Sequence, residues 1–93
     1  MKSGILLTAT GAAIGVAPAN GNDYTLEELQ TIVGGPIEIV TFTANTILVV
    51  NEEGKGQFTK NLKATVMAKA LGAIFPEDYI AGNALLCASD MVK

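Results

Sequence analysis

Ninety-three residues, 49% of them hydrophobic and 16% charged, suffice for one small globular domain and argue against a disordered tail. Nine acids against six lysines leave a net charge of −3, and arginine and histidine are both absent. The basic footprint of a nucleic-acid binder is therefore missing, as are the commonest general base and the commonest metal ligand; the single cysteine, Cys87, excludes an internal disulfide and a CxxC zinc site.

The N-terminal run shares Lys2, an apolar start at Ile5 to Leu7 and an Ala17-Pro18-Ala19 end with a weak secretory signal. Thr8, Thr10 and Pro18 break that pattern. The run reads better as two short strands, 4–10 and 12–17, turning at Gly11. No stretch approaches the roughly 18 apolar residues of a membrane helix. An unpaired cysteine fits a reducing compartment, the cytoplasm.

Asn20 to Asp23 is a turn cluster, and a helix start follows. Thr25 is placed as N-cap, with Glu28 three residues on to complete a capping box. Tyr24 and Leu29 supply the hydrophobic staple, and Glu27 and Glu28 favour the positive end of the helix dipole. The helix should run to about Val33, stop at Gly34-Gly35 and be barred from continuing by Pro36. A glycine pair that ends a helix is no phosphate loop, since phosphate cradles precede one.

Residues 37–42 and 46–51, rich in β-branched side chains, predict a hairpin around Thr43-Ala44-Asn45 that should form the centre of the sheet. Both of its faces are apolar. Asn51 to Gly56 is a polar turn. Asn61 is placed as N-cap of a second helix, about 62–71, stopped by Gly72 and carrying a core-facing stripe of Leu62, Val66 and Leu71. Phe75 to Asp78 is a loop, and Tyr79 to Cys87 reads as the last strand, with Gly82 marking a bulge or a close approach. The fold expected is α+β: one domain over 1–93, about five mostly antiparallel strands and two short helices.

Several blocks in this order are distinctive: Tyr24-Thr25-Leu26-Glu27-Glu28-Leu29-Gln30, Ile32 to Val40, Leu48 to Lys55, Asn61 with Ala64-Thr65, and Ile80 to Leu86. Together they resemble a family of small uncharacterised proteins, a domain of unknown function common in phages, prophages and Gram-positive bacterial genomes. The resemblance spans most of residues 24–87 and implies a place among the accessory genes of mobile elements. It implies no activity. The chain departs from the pattern at Gly56-Gln57-Phe58, where a lysine- or leucine-rich loop with a proline is expected.

Catalysis finds no support in this inventory. Glu52 and Glu53 are neighbours at a strand end and point to opposite sides, so they do not converge for acid/base work. Cys87 has no histidine to activate it and reads as a buried filler. No cofactor is implied. The expected function is non-catalytic: an accessory protein that binds an anionic small molecule of nucleotide type, sequestering a host defence signal. Asn51, Glu52, Lys55, Asn61 and Lys63 are the predicted ligand-binding residues, because polar groups and the free amides of the second helix gather there with Lys60. The alternative is a protein-binding inhibitor or adaptor acting through an apolar surface. Self-association is expected as well. If two short helices cover only one face of the sheet, either Val40, Phe42, Leu48 and Val50 or Ile37, Ile39, Ile47 and Val49 lie open, and a two-fold dimer packing sheet on sheet would cover them.

Overall fold

Local chemistry places the elements almost where the residues predict them. A computed structural model describes residues 3–92 and contains strands β1 (Gly4–Leu7), β2 (Ala13–Val16), β3 (Ile37–Thr41), β4 (Thr46–Asn51) and β5 (Ala84–Ala88). Helices α1 (Leu26–Val33) and α2 (Leu62–Ala70) complete an α+β fold, with single 3-10 turns at Gly54–Gly56 and Ser89–Met91. All strand pairs are antiparallel, in the order β2-β1-β5-β4-β3.

The start of α1 is built as its sequence specifies. Thr25 Oγ1 accepts from the Glu28 amide at 3.1 Å, and Glu28 Oε1 accepts from the Thr25 amide at 2.8 Å. The other carboxylate oxygen of Glu28 accepts from the Ala19 amide at 2.9 Å. These backbone donors hold the Glu28 carboxyl below its ordinary range. At the far end Gly34 takes the left-handed conformation, φ 82°, and its amide returns to the Gln30 carbonyl. The capping box and the stop are both as expected.

Three expectations fail, each because a long-range contact overrides a local pattern. The β3–β4 hairpin is not the centre of the sheet; β5 is, and β3 forms an edge. The chain ends close this sheet: Leu6 pairs with Leu85 across nearly the whole sequence. The last strand does not begin at Tyr79. Its backbone over 80–82 bonds instead to the segment before α2, with Asn61 N–H to Ile80 O and Gly82 N–H to Thr59 O both at 2.8 Å. Gly82, at φ 83°, then turns the chain into β5.

The third correction concerns the faces. One core gathers Tyr24, Leu29 and Val33 over Ile47, Val49, Leu85 and Cys87. The other gathers Ala64 and Ala68 over Leu7, Leu48, Val50 and Ala84. The helices therefore lie on opposite faces, and β4 is buried on both within a single chain. That explains its unbroken apolar run. The open face that sheet-on-sheet dimerisation requires does not exist at β4.

Tyr24 anchors the first core to the sheet edge. Its ring is fully buried, its hydroxyl accepts from the Gly4 amide at 3.0 Å and donates to the Val16 carbonyl, and burial raises its pKa. Cys87 lies in the same core, where burial pushes its thiol from 9.0 up to about 11. It is buried, as its apolar neighbours in the sequence predict.

A pH dependence follows. The folded chain holds the Cys87 proton to a higher pH than the unfolded chain, so the contribution is complete below pH 9 and is lost as pH rises through about 11. Two pKa units correspond to about 2–3 kcal/mol at most. Chemical unfolding should show less stability near pH 11 than near pH 8, and Cys87→Ala should lose less over the same interval. Tyr24 acts in the same direction, so some slope should remain in the variant.

Candidate functional site

The five residues predicted to bind a ligand separate into two groups. Asn51, at the end of β4, is buried. Its Nδ2 donates to the Val33 carbonyl at 3.1 Å and its Oδ1 accepts from the Glu53 amide at 2.7 Å, so the side chain ties the end of α1 to β4. Glu52 beside it is exposed. Lys55 stands on the 3-10 turn, whose first residue, Gly54, is buried: a Cβ there would meet the Ala81 carbonyl oxygen at 2.7 Å. The Lys55 ammonium pairs with Asp78 and lies 5.2 Å from the centre of the Tyr79 ring. This pairing raises the Lys55 pKa and lowers that of Asp78.

Asn51, Glu52 and Lys55 thus line one concavity of about 160 Å³, together with Glu38, Asp78 and Tyr79. Lys60, from the segment before α2, also reaches the Tyr79 ring, at 5.7 Å. The remaining two predicted residues face elsewhere. Lys63 is exposed and donates to the Gly11 carbonyl, in the β1–β2 turn, at 3.1 Å. Asn61 is wholly interior: its Nδ2 donates to the carbonyls of Leu7 at 2.9 Å and Gly82 at 2.8 Å, and its Oδ1 caps α2 on the Ala64 amide.

In chemical terms the concavity is modest. Three carboxylates face one paired lysine and one ring, with no thiol among them. Among the described residues no group of three histidine, cysteine or acidic side chains could hold a metal ion. No helix among them is long and apolar enough to cross a membrane.

The more distinctive surface is the outer face of α2. The predicted core-facing stripe points the other way: Leu62, Val66 and Leu71 are 66%, 64% and 52% exposed, while the helix buries Ala64, Thr65 and Ala68. Its rotation is set by polar anchors. Asn61 is locked into the sheet as described, and Thr65 Oγ1 accepts from the Ile80 amide at 2.9 Å and donates to the Ile80 carbonyl at 3.3 Å. Positions 61, 64, 65 and 68 follow helical spacing, so anchoring two of them turns all four inward. The signal in the sequence was this spacing of Asn61 and Thr65 with the two alanines, which the larger apolar residues masked.

All four described lysines lie within the segment from Lys55 to Lys69, and two of them, Lys63 and Lys69, stand on α2 itself. The acids Glu27 and Glu28 open α1 on the opposite face of the sheet.

A family model described as Domain of unknown function (DUF3846) matches residues 1–91. No curated protein and no solved structure matches the chain.

Proposed function

The chain belongs to the DUF3846 family, a domain of unknown function, and for it we propose the role of a non-catalytic protein-binding module, an inhibitor or adaptor that docks through the outer face of α2. One observation carries this reading: a short helix buries alanines and a threonine while presenting Leu62 and Val66, one turn apart, to water, with Leu71 exposed at its end. Large apolar side chains grouped on an exposed face, rimmed by polar groups, mark interaction surfaces. The charge of Lys63 and Lys69 on the same helix selects the partner. It fits an apolar surface bordered by acidic groups, which steer encounter and orient docking. The role suits an accessory protein of a mobile element acting in a reducing cytoplasm.

The double variant Leu62→Glu/Val66→Glu tests it. Both positions are exposed, so the change should leave the unfolding free energy within about 0.5 kcal/mol of the parent. A protein retained from host extract by the wild type is purified and titrated against both forms. At least tenfold weaker binding by the variant supports the module; equal binding overturns it.

A second reading, binding of a small anion of nucleotide type, is favoured by the two ammonium groups of Lys55 and Lys60 gathered over the Tyr79 ring. Calorimetry with nucleotides separates the readings. Heat of binding that is lost in Lys60→Glu and kept in the α2 double variant supports the anion; no heat with the wild type removes it.

A further inference from the structure

We infer that the open edge of β3 pairs with β3 of a second copy of this chain, joining two sheets into one continuous antiparallel sheet about a two-fold axis.

The hydrogen bonds at the two ends of the β3–β4 hairpin reveal which backbone groups are free. Phe42 N–H donates to Thr46 O at 3.0 Å and Glu52 N–H to Pro36 O at 2.8 Å, around a register of Glu38 with Val50 and Val40 with Leu48. Residue pairs alternate between those that exchange hydrogen bonds and those that do not. The even-numbered residues of β3 therefore bond inward to β4. Ile37, Ile39 and Thr41 aim their N–H and C=O groups outward, where no group of the described residues meets them.

Natural sheets blunt such an edge with charged side chains, lysine above all, or with proline, a bulge or a covering loop. β3 reads Ile-Glu-Ile-Val-Thr in unbroken register, with Glu38 as its one charge and without lysine, proline or bulge. The other edge, β2, is shorter and contains Gly15. An apolar edge of this kind invites another strand.

A second copy fits it. Antiparallel pairing centred on Ile39 sets Ile39 against Ile39 and Ile37 against Thr41 twice over, so three residue pairs exchange two hydrogen bonds each, six in all. On the α1 face Ile39, 42% exposed in one chain, would be covered by its own equivalent. On the α2 face Glu38 stands against Val40 of the other copy and enters the concavity beside it. That concavity, about 720 Å³, is lined by Lys69 and by Phe75, which is 73% exposed. Glu38 and Lys69 of the two copies then alternate along the seam with opposite charge. The pairing consumes the β3 edge of both copies and is isologous, so it yields a dimer and not a filament. It leaves the outer face of α2 free and is independent of the role proposed for that face.

Light scattering on the full chain across a range of concentrations, joined to amide exchange, tests it. The wild type should reach twice the 9.6 kDa of one chain. In that state the Ile39 amide should exchange at least tenfold more slowly than in dilute protein. Ile39→Pro removes the outward N–H and no bond to β4, a placement an edge strand tolerates, and should remain at the mass of one chain. Leu62→Glu/Val66→Glu should still dimerise. A wild type at single mass throughout overturns the proposal. So does a dimer whose Ile39 amide exchanges freely, or one abolished by the α2 variant and kept by Ile39→Pro. Should Ile39→Pro fail to fold, the exchange of the wild type decides.

Discussion

Asn61→Leu is expected to cost about 3–5 kcal/mol of stability. Three internal bonds converge on a fully buried amide: two donated to the carbonyls of Leu7 and Gly82, one accepted from the Ala64 amide. Leucine keeps about the same volume and removes all three bonds from backbone groups held away from water. An unmade buried hydrogen bond costs about 1–3 kcal/mol, and loss of a helix cap alone about 1 kcal/mol. Asn61→Asp separates these contributions. It keeps the capping oxygen, yet it loses both donors and sets a carboxylate against two carbonyls. If Asn61 only capped α2, the aspartate variant would unfold like the parent; since it joins α2, β1 and the start of β5, both variants should unfold at much lower urea concentration. A loss below about 1 kcal/mol in either would contradict this account.

The second large effect lies where β1, β2 and α1 meet. A Cβ on Gly4 would stand 2.7 Å from the Tyr24 hydroxyl oxygen, 3.1 Å from a Leu85 methyl and 3.1 Å from the Leu86 carbonyl oxygen. Gly4→Ala is therefore expected to destabilise by about 2–4 kcal/mol through forced displacement in a packed core. Tyr24→Phe should cost about 1–3 kcal/mol, because the Gly4 amide loses its acceptor and the Val16 carbonyl its donor. The two changes act on one contact and will not add. Removing the hydroxyl makes room for the new methyl, so Gly4→Ala should cost at least about 1 kcal/mol less in the Tyr24→Phe background. Simple additivity across this cycle, read from chemical unfolding, would show that the crowding at Gly4 comes from Leu85 and the Leu86 carbonyl alone.

At both sites the local pattern stops short of the contacts that matter. The sequence marks Asn61 as an N-cap and groups it with surface ligands, because a polar residue before a helix is usually wet. Nothing local says that Leu7, some fifty residues earlier, supplies a carbonyl to it. Tyr24 was recognised as half of a hydrophobic staple, which it is. Its hydroxyl between Gly4 and Val16 depends on how the N-terminal hairpin meets α1. Of the predicted ligand residues, Asn51, Glu52 and Lys55 were close enough in the chain to share a concavity, while Lys63 is carried away by the direction of α2.

By itself the sequence determined what short-range chemistry controls. The capping box at Thr25 and Glu28, the left-handed stop at Gly34, the turn joining β3 to β4 and the cap at Asn61 all involve groups within a few residues of one another, and all formed as read. Tertiary structure alone decided which strand lies at the centre, which face of the sheet each helix covers and which side of α2 meets water. Those choices rest on bonds between distant segments: Leu6 with Leu85, Asn61 with Leu7, Thr65 with Ile80. Where such buried polar bonds compete with a stripe of apolar residues, leaving them unmade costs more than exposing the stripe. The helix turned accordingly, and Leu62, Val66 and Leu71 came to the surface.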